Sequence, residues 1–222
     1  MSVAKPSALV LEYTAQMMAW LLFLQPQPRE RIGMLGLGAG SLTRFCLRNL
    51  KNPLQVVEWN PQVTAICQQY FRLPLSSRLD IVHEDAGIWV EDADHHDSCA
   101  VLMIDLYDAE AAGPVRDSLD FYQGCRQVLT DPGIVTVNLF GAHQSFAKNI
   151  RHLSQAFEGR LLCLPQIDEG NQIVLAFKGP PMRATLTQLL TRAEEIESRF
   201  GLPARRWVKS WAGRATQGVL LV

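Results

Sequence analysis

The sequence has no Cys-x-x-Cys spacing and no even set of cysteines: Cys46, Cys67, Cys99, Cys125 and Cys163 are five and scattered. That pattern argues against a disulfide framework and a zinc ligand set, and points to buried thiols in a reducing cytoplasm. An excess of positive charge is also missing, with 21 Lys and Arg against 22 Asp and Glu and a formal charge of -1. A broad nucleic-acid surface draws on clustered, uncompensated cations, so no nucleic-acid partner is expected. Long apolar runs are absent too. The strongest candidate, 8–24, is interrupted by Glu12 and Gln16 and has no small-residue cleavage pattern before Gln25-Pro26. It falls short of the roughly 20 apolar residues of a membrane span. No membrane partner is expected, and the stretch reads as a buried amphipathic helix.

Repeats and low-complexity linkers are lacking, which leaves 222 residues, 48% hydrophobic and 19% charged, to build one substantial core. The expectation is a single domain over 1–222, with its core at about 10–180 and a C-terminal helix and tail beyond. The organising stretch runs from Arg31 to Leu42, where an apolar run breaks into Gly36, Gly38 and Gly40 and then opens into a helical pattern. It reads as strand, tight turn and helix. Glycines there supply backbone angles closed to other residues and let a ligand lie against the main chain at a helix start. The spacing is not that of a dinucleotide fingerprint, and no Lys-Ser/Thr follows to grip a phosphate. A nucleoside site is expected.

In chain order, the pattern predicts a helix over 14–24 ended by Pro26 and Pro28, the glycine strand, a helix over 41–50, and a strand over 54–58. Pro61 opens the next helix. Glu58, 18 residues after Gly40, ends the second strand, where an acid can accept hydrogen bonds from both hydroxyls of a ribose. Further strands are predicted over 79–83, leading to Glu84-Asp85-Ala86-Gly87, and over 100–104, leading to Asp105-Leu106-Tyr107-Asp108. A helix over 117–129, a turn at Asp131-Pro132-Gly133, a strand over 134–140 and a helix over 143–157 follow. The strands 160–165 and 172–178 are too closely linked to pair other than as an antiparallel hairpin. A helix over 182–200 precedes a tail carrying Trp207 and Trp211. Four strands thus deliver acids or glycines at their C-terminal ends, the edge where ligands sit in an open parallel sheet.

Several features have plainer readings. His95 and His96 lie among Asp92, Asp94 and Asp97, but adjacent side chains point apart, so a solvated loop is expected and no metal. Trp207 and Trp211 are read as packing against the body or a second subunit. Asp105 and Asp108 could form a turn pair without chemistry, and Tyr107 could belong to the core.

The order of elements resembles the class I S-adenosylmethionine-dependent methyltransferase fold: an α/β, Rossmann-like three-layer sandwich with a mostly parallel seven-stranded sheet and an antiparallel C-terminal hairpin. Within that fold the chain resembles the spermidine synthase family of polyamine aminopropyltransferases over about residues 10 to 178. Gly36-Leu37-Gly38-Ala39-Gly40-Ser41 is similar to its glycine motif, Glu58-Trp59-Asn60-Pro61 to its Glu-Ile-Asp-Pro segment, and Glu84-Asp85-Ala86 to its Gly-Asp-Gly. Asp105-Leu106-Tyr107-Asp108 with Gly113-Pro114 is similar to its Asp-x-x-Asp-Pro-x-Gly-Pro loop. Phe121-Tyr122 through Asp131-Pro132-Gly133 is similar to the helix and turn that follow.

The resemblance implies a transferase acting on S-adenosylmethionine or decarboxylated S-adenosylmethionine and a small-molecule amine acceptor such as putrescine, in a cytoplasmic homodimer. By it, Gly36, Leu37, Gly38 and Gly40 cradle the co-substrate, Glu58 and Trp59 meet the ribose side, and Asp85 and Ala86 meet the adenine.

 Asp105 reaches both the co-substrate and the acceptor, and Asp105 and Asp108 bind and activate the amine, with Tyr107 walling the acceptor pocket. The chemistry has its own logic: an amine at pH 7 is mostly protonated, and a carboxylate beside the reacting carbon can take its proton and orient the lone pair. Ala39 stands where the family carries an aspartate that meets the amino group of the decarboxylated co-substrate. The family's N-terminal β domain is expected to be absent, and Ile167-Asp168-Glu169-Gly170 stands in place of its Tyr-Pro-Ser-Gly loop. Two alternatives stay open, a methyltransferase using intact S-adenosylmethionine on a small molecule and a non-catalytic nucleoside-binding relative.

Overall fold

The computed structural model describes residues 7–107, 116–140, 143–168 and 170–222. Seven strands form one sheet: β1 (Arg31–Leu35), β2 (Leu54–Val57), β3 (Leu79–Val82), β4 (Cys99–Ile104), β5 (Leu129–Phe140), β6 (Leu161–Cys163) and β7 (Asn171–Lys178). Their order is β3-β2-β1-β4-β5-β7-β6. The first five run parallel, and β7 lies antiparallel to both β5 and β6. This is the predicted class I methyltransferase architecture.

Side chains that alternate along each strand fill two apolar layers. Ile32, Met34, Val101 and Met103 point to one, which holds α2 (Ser41–Asn49), α7 (Leu186–Phe200) and α8 (Ala204–Ser210). Leu35, Leu102 and Ile104 point to the other, beneath α4 (Ala86–Glu91), α5 (Leu119–Val128) and α6 (Phe146–Ala156). Trp89 and Tyr122 are fully buried there, and Trp20, Trp207 and Trp211 are buried on the opposite side. Trp211 donates its indole N–H to the Cys163 carbonyl at 2.8 Å and packs on Phe23. The two tail tryptophans therefore pack against the body, one of the two expected roles.

Four elements differ from the sequence reading. The first helix is α1 (Glu12–Gln16) followed by a tighter 3-10 segment, Met17–Leu22, and every residue of that segment is buried. It is enclosed on all sides, so an amphipathic helix was the wrong description. The strand predicted over 134–140 begins at Leu129, and Asp131-Pro132-Gly133 is an irregularity inside it: Cys99 pairs with Leu129, whereas Val101 pairs with Ile134. The predicted helix over 182–200 begins at Leu186, capped by Thr185 and Gln188 in a reciprocal capping box. Its first predicted residues instead form β8 (Arg183–Thr185), paired antiparallel with β9 (Val219–Leu221). Among the described residues no helix is long and apolar enough to cross a membrane, and no group of three or more His, Cys, Asp and Glu side chains is placed to hold a metal. His95 stacks on Trp89 at 4.4 Å.

Candidate active site

The parallel sheet brings the ends of β1, β2 and β4 to one rim. The Gly36 N–H donates to the Val57 carbonyl at 2.8 Å, and the Asp105 N–H donates to the Leu35 carbonyl at 2.9 Å. Gly36 sits at φ 93°, and a Cβ there would strike the Asp105 carbonyl oxygen. Gly38, at φ 51°, has open space where its Cβ would be, and its carbonyl accepts from the Cys67 thiol at 3.0 Å, which leaves the Cα side of the loop free for a ligand. Gly40 serves the fold behind the loop, as the left-handed N-cap of α2 facing Arg44 and Leu73.

Glu58 follows β2 and is 7% exposed. Its carboxylate accepts from the Leu37 N–H at 3.1 Å and from the Asn60 N–H at 3.0 Å, so it ties the glycine loop to the start of α3 (Pro61–Gln69). Two charge-assisted bonds offset the cost of burying this carboxylate, and its remaining lone pairs are available to hydroxyl groups. Trp59, 75% exposed, stands on the rim.

Asp85 is the N-cap of α4 and accepts from the Gly87 N–H at 2.8 Å and the Ile88 N–H at 3.3 Å. Its second oxygen accepts from Arg116. Burial pushes the Asp85 carboxyl up, but the Arg116 guanidinium and the two amides outweigh it, and the group lies below its ordinary value.

Asp105 is the centre of a polar chain that crosses three strand ends. One oxygen accepts from the Asn138 side-chain amide at 2.8 Å, and the other accepts a long, weak bond from the Tyr13 hydroxyl at 3.4 Å. Asn138 in turn accepts from the Asn171 side chain at 3.0 Å, and its main-chain carbonyl accepts from the Tyr107 hydroxyl at 2.8 Å. Burial pushes the Asp105 carboxyl above its ordinary value, while the bonds from Asn138 and Tyr13 pull it down less strongly. Burial, together with the Asp105 charge, also raises both phenols. A carboxyl raised in this way, with one oxygen firmly held and the other loosely, is suited to accept a proton.

These groups face one cavity of about 750 Å³, within the range of roughly 300–1,000 Å³ typical of small-molecule sites. Gly36, Gly38, Glu58, Trp59, Asp85, Ala86, Asp105 and Tyr107 all line it, whereas Leu37 and Gly40 do not. Asp108, Gly113 and Pro114 lie outside the described residues. The sequence reading missed Tyr13, Arg116, Asn138 and Asn171, polar lining residues outside every motif it singled out, as well as the apolar Val63 and Phe140. The available signals were faint, a hydroxyl before an apolar run for Tyr13 and an amide within an apolar strand for Asn138. Among the described lining residues, Glu58, Glu84, Asp85 and Asp105 face a single guanidinium, Arg116, so the cavity favours cations. The open space over Gly38 and the acid-rich lining fit a nucleoside that carries a positive charge.

No family model matches the chain. A polyamine aminopropyltransferase of Neisseria meningitidis is 33% identical over 208 residues, which cover 93% of this chain and 78% of that protein. One from Chromobacterium violaceum is 31% identical, covering 100% of this chain and 85% of its own. Among solved structures, a probable spermidine synthase from Corynebacterium glutamicum matches with a TM-score of 0.70 at 20% identity, covering 97% of this chain and 82% of that one. Human methyltransferase-like protein 13 in complex with SAH matches with a TM-score of 0.75 at 22% identity, covering 86% and 93%. The structural likenesses establish the shared fold. With sequence identity above 30% across nearly its whole length, the chain belongs to the polyamine aminopropyltransferase family.

Proposed function

We propose that this chain transfers an aminopropyl group from decarboxylated S-adenosylmethionine to a polyamine such as putrescine. The observation that carries the reading is Asp105, a partly buried carboxyl raised above its ordinary value and held by Asn138 at the wall of an acid-rich cavity. The reaction forms a carbon–nitrogen bond, breaks a carbon–sulfur bond and releases a neutral thioether nucleoside. In this reading Glu58 holds the ribose, the main chain at Gly36 and Gly38 receives the sulfur-bearing tail, and Asp85 with Ala86 marks the adenine end. Asp105 takes the proton from the attacking amine, and Tyr13 and Tyr107 flank the acceptor. Asp108 would add a second carboxylate for the acceptor's charge.

Ala39 supports a second reading, methyl transfer from intact S-adenosylmethionine, since no carboxylate stands at that exposed position to disfavour the carboxylate of the intact molecule. Incubation with putrescine and decarboxylated S-adenosylmethionine, followed by quantification of methylthioadenosine and spermidine, tests the first reading. Formation of both in equal amounts supports it. Their absence, at concentrations where calorimetry shows the co-substrate bound, would overturn it.

A further inference from the structure

A second concavity, of about 400 Å³, opens beside α2 and ahead of β3. Its lining holds Arg44, Arg48, Arg72 and Arg78 with Ser7 and Ser76, and among the described residues it holds no carboxylate. It shares no lining residue with the larger cavity. In a chain with a formal charge of -1, four guanidinium groups around one hollow form a strong local positive field.

Two of the four have structural work. Arg78 donates to the Leu47 carbonyl at 2.6 Å and the Leu50 carbonyl at 2.9 Å, closing the C-terminal end of α2. Arg44 is 3% exposed and backs the glycine loop next to Gly40. Arg48 and Arg72 are exposed, and among the described residues neither enters an ion pair. Arg48 lies four residues after Arg44 on the same helix, a like-charge spacing that is unfavourable by itself. Arg72 holds φ 53°, a left-handed conformation that strains a side-chain-bearing residue. Arg48 also sits in the last turn of α2, where a cation suits the helix C-terminus, but that role does not require three further guanidinium groups around the same hollow.

We infer that this arginine-lined hollow binds a small phosphate-bearing anion. Planar guanidinium forks match pairs of phosphate oxygens, and the two serine hydroxyls can donate to those that remain. The hollow is large enough for a diphosphate group. The inference is independent of the reaction proposed above.

Calorimetric titration of the full chain with pyrophosphate, at constant ionic strength in a phosphate-free buffer containing saturating methylthioadenosine, tests it. One saturable site is expected, weakened at least about tenfold by Arg48→Ala combined with Arg72→Ala. Arg72→Gly, which relieves the backbone strain, is expected to keep or raise Tm while still weakening pyrophosphate. A parallel titration with ADP distinguishes the source: tighter binding than pyrophosphate assigns a nucleotide and weaker binding a free oligophosphate, and either supports the site. Absence of saturable binding would overturn the inference, as would equal affinity in the parent and the double variant.

Discussion

Replacing Asp105 by Asn separates what this residue does for the fold from what it does for chemistry. The carboxylate is held above its ordinary value by burial, against the bonds from Asn138 and Tyr13. In the sign convention of proton linkage, a group that binds its proton more tightly when folded destabilises the native state as pH rises through its folded value, and the penalty is fully present above that value. Asn keeps an oxygen for the Asn138 amide, and its own amide can donate to the Tyr13 hydroxyl oxygen, so the polar chain stays closed. Asp105→Asn should therefore stabilise the protein at pH 7.5 by about 1 kcal/mol, a Tm gain of about 2–4 °C for a chain of this size. The gain should shrink as pH falls toward the ordinary carboxyl range, where the parent is already protonated. Methylthioadenosine formation should fall by at least about 10²-fold while nucleoside affinity is kept. Thermal melts from pH 4 to 8, alongside the transfer assay, read both effects. A variant that is less stable at pH 7.5, or one that turns over like the parent, would refute this account of Asp105.

Other perturbations read other parts of the site. Glu58→Gln should weaken methylthioadenosine by about 10-fold or more in calorimetry, because a neutral amide is a weaker acceptor for ribose hydroxyls and for the Leu37 and Asn60 amides. Gly36→Ala should cost about 2–4 kcal/mol in urea unfolding, since the new methyl meets the Asp105 carbonyl in a left-handed conformation. Arg116→Ala should raise the Asp85 carboxyl, measurable by NMR titration, while changing stability by less than about 1 kcal/mol, because the pair is substantially exposed. Trp59→Phe should abolish most of the tryptophan fluorescence change on methylthioadenosine binding, because Trp59 stands exposed on the cavity rim.

The glycine corner, Glu58 and Asp105 were legible because each lies directly after an apolar strand, and Asp85 because it opens the helix that follows β3; parallel pairing carries local position into spatial position. Tyr13 was not, since it meets Asp105 across 92 residues of chain and no period links them. Asn138 and Asn171 read as ordinary strand residues, and only the antiparallel register of β5 and β7 brings their side chains together. The ribbon of β8 and β9 was hidden because three-residue strands are too short to show a period of two. The 3-10 segment was misread because the elements that bury it, β5, β7, α7 and α8, all come far later in the chain, as the Arg192 bond to the Leu21 carbonyl illustrates.

The central claim is that the rim of β1, β2 and β4 forms one nucleoside site with Asp105 at its reacting end. A crystal structure with methylthioadenosine tests it most directly. The account predicts ribose hydroxyls on Glu58, adenine beside Asp85 and Ala86, and the thioether sulfur near Gly38 and Asp105. A nucleoside bound elsewhere, or one oriented with its adenine at Asp105, would contradict it.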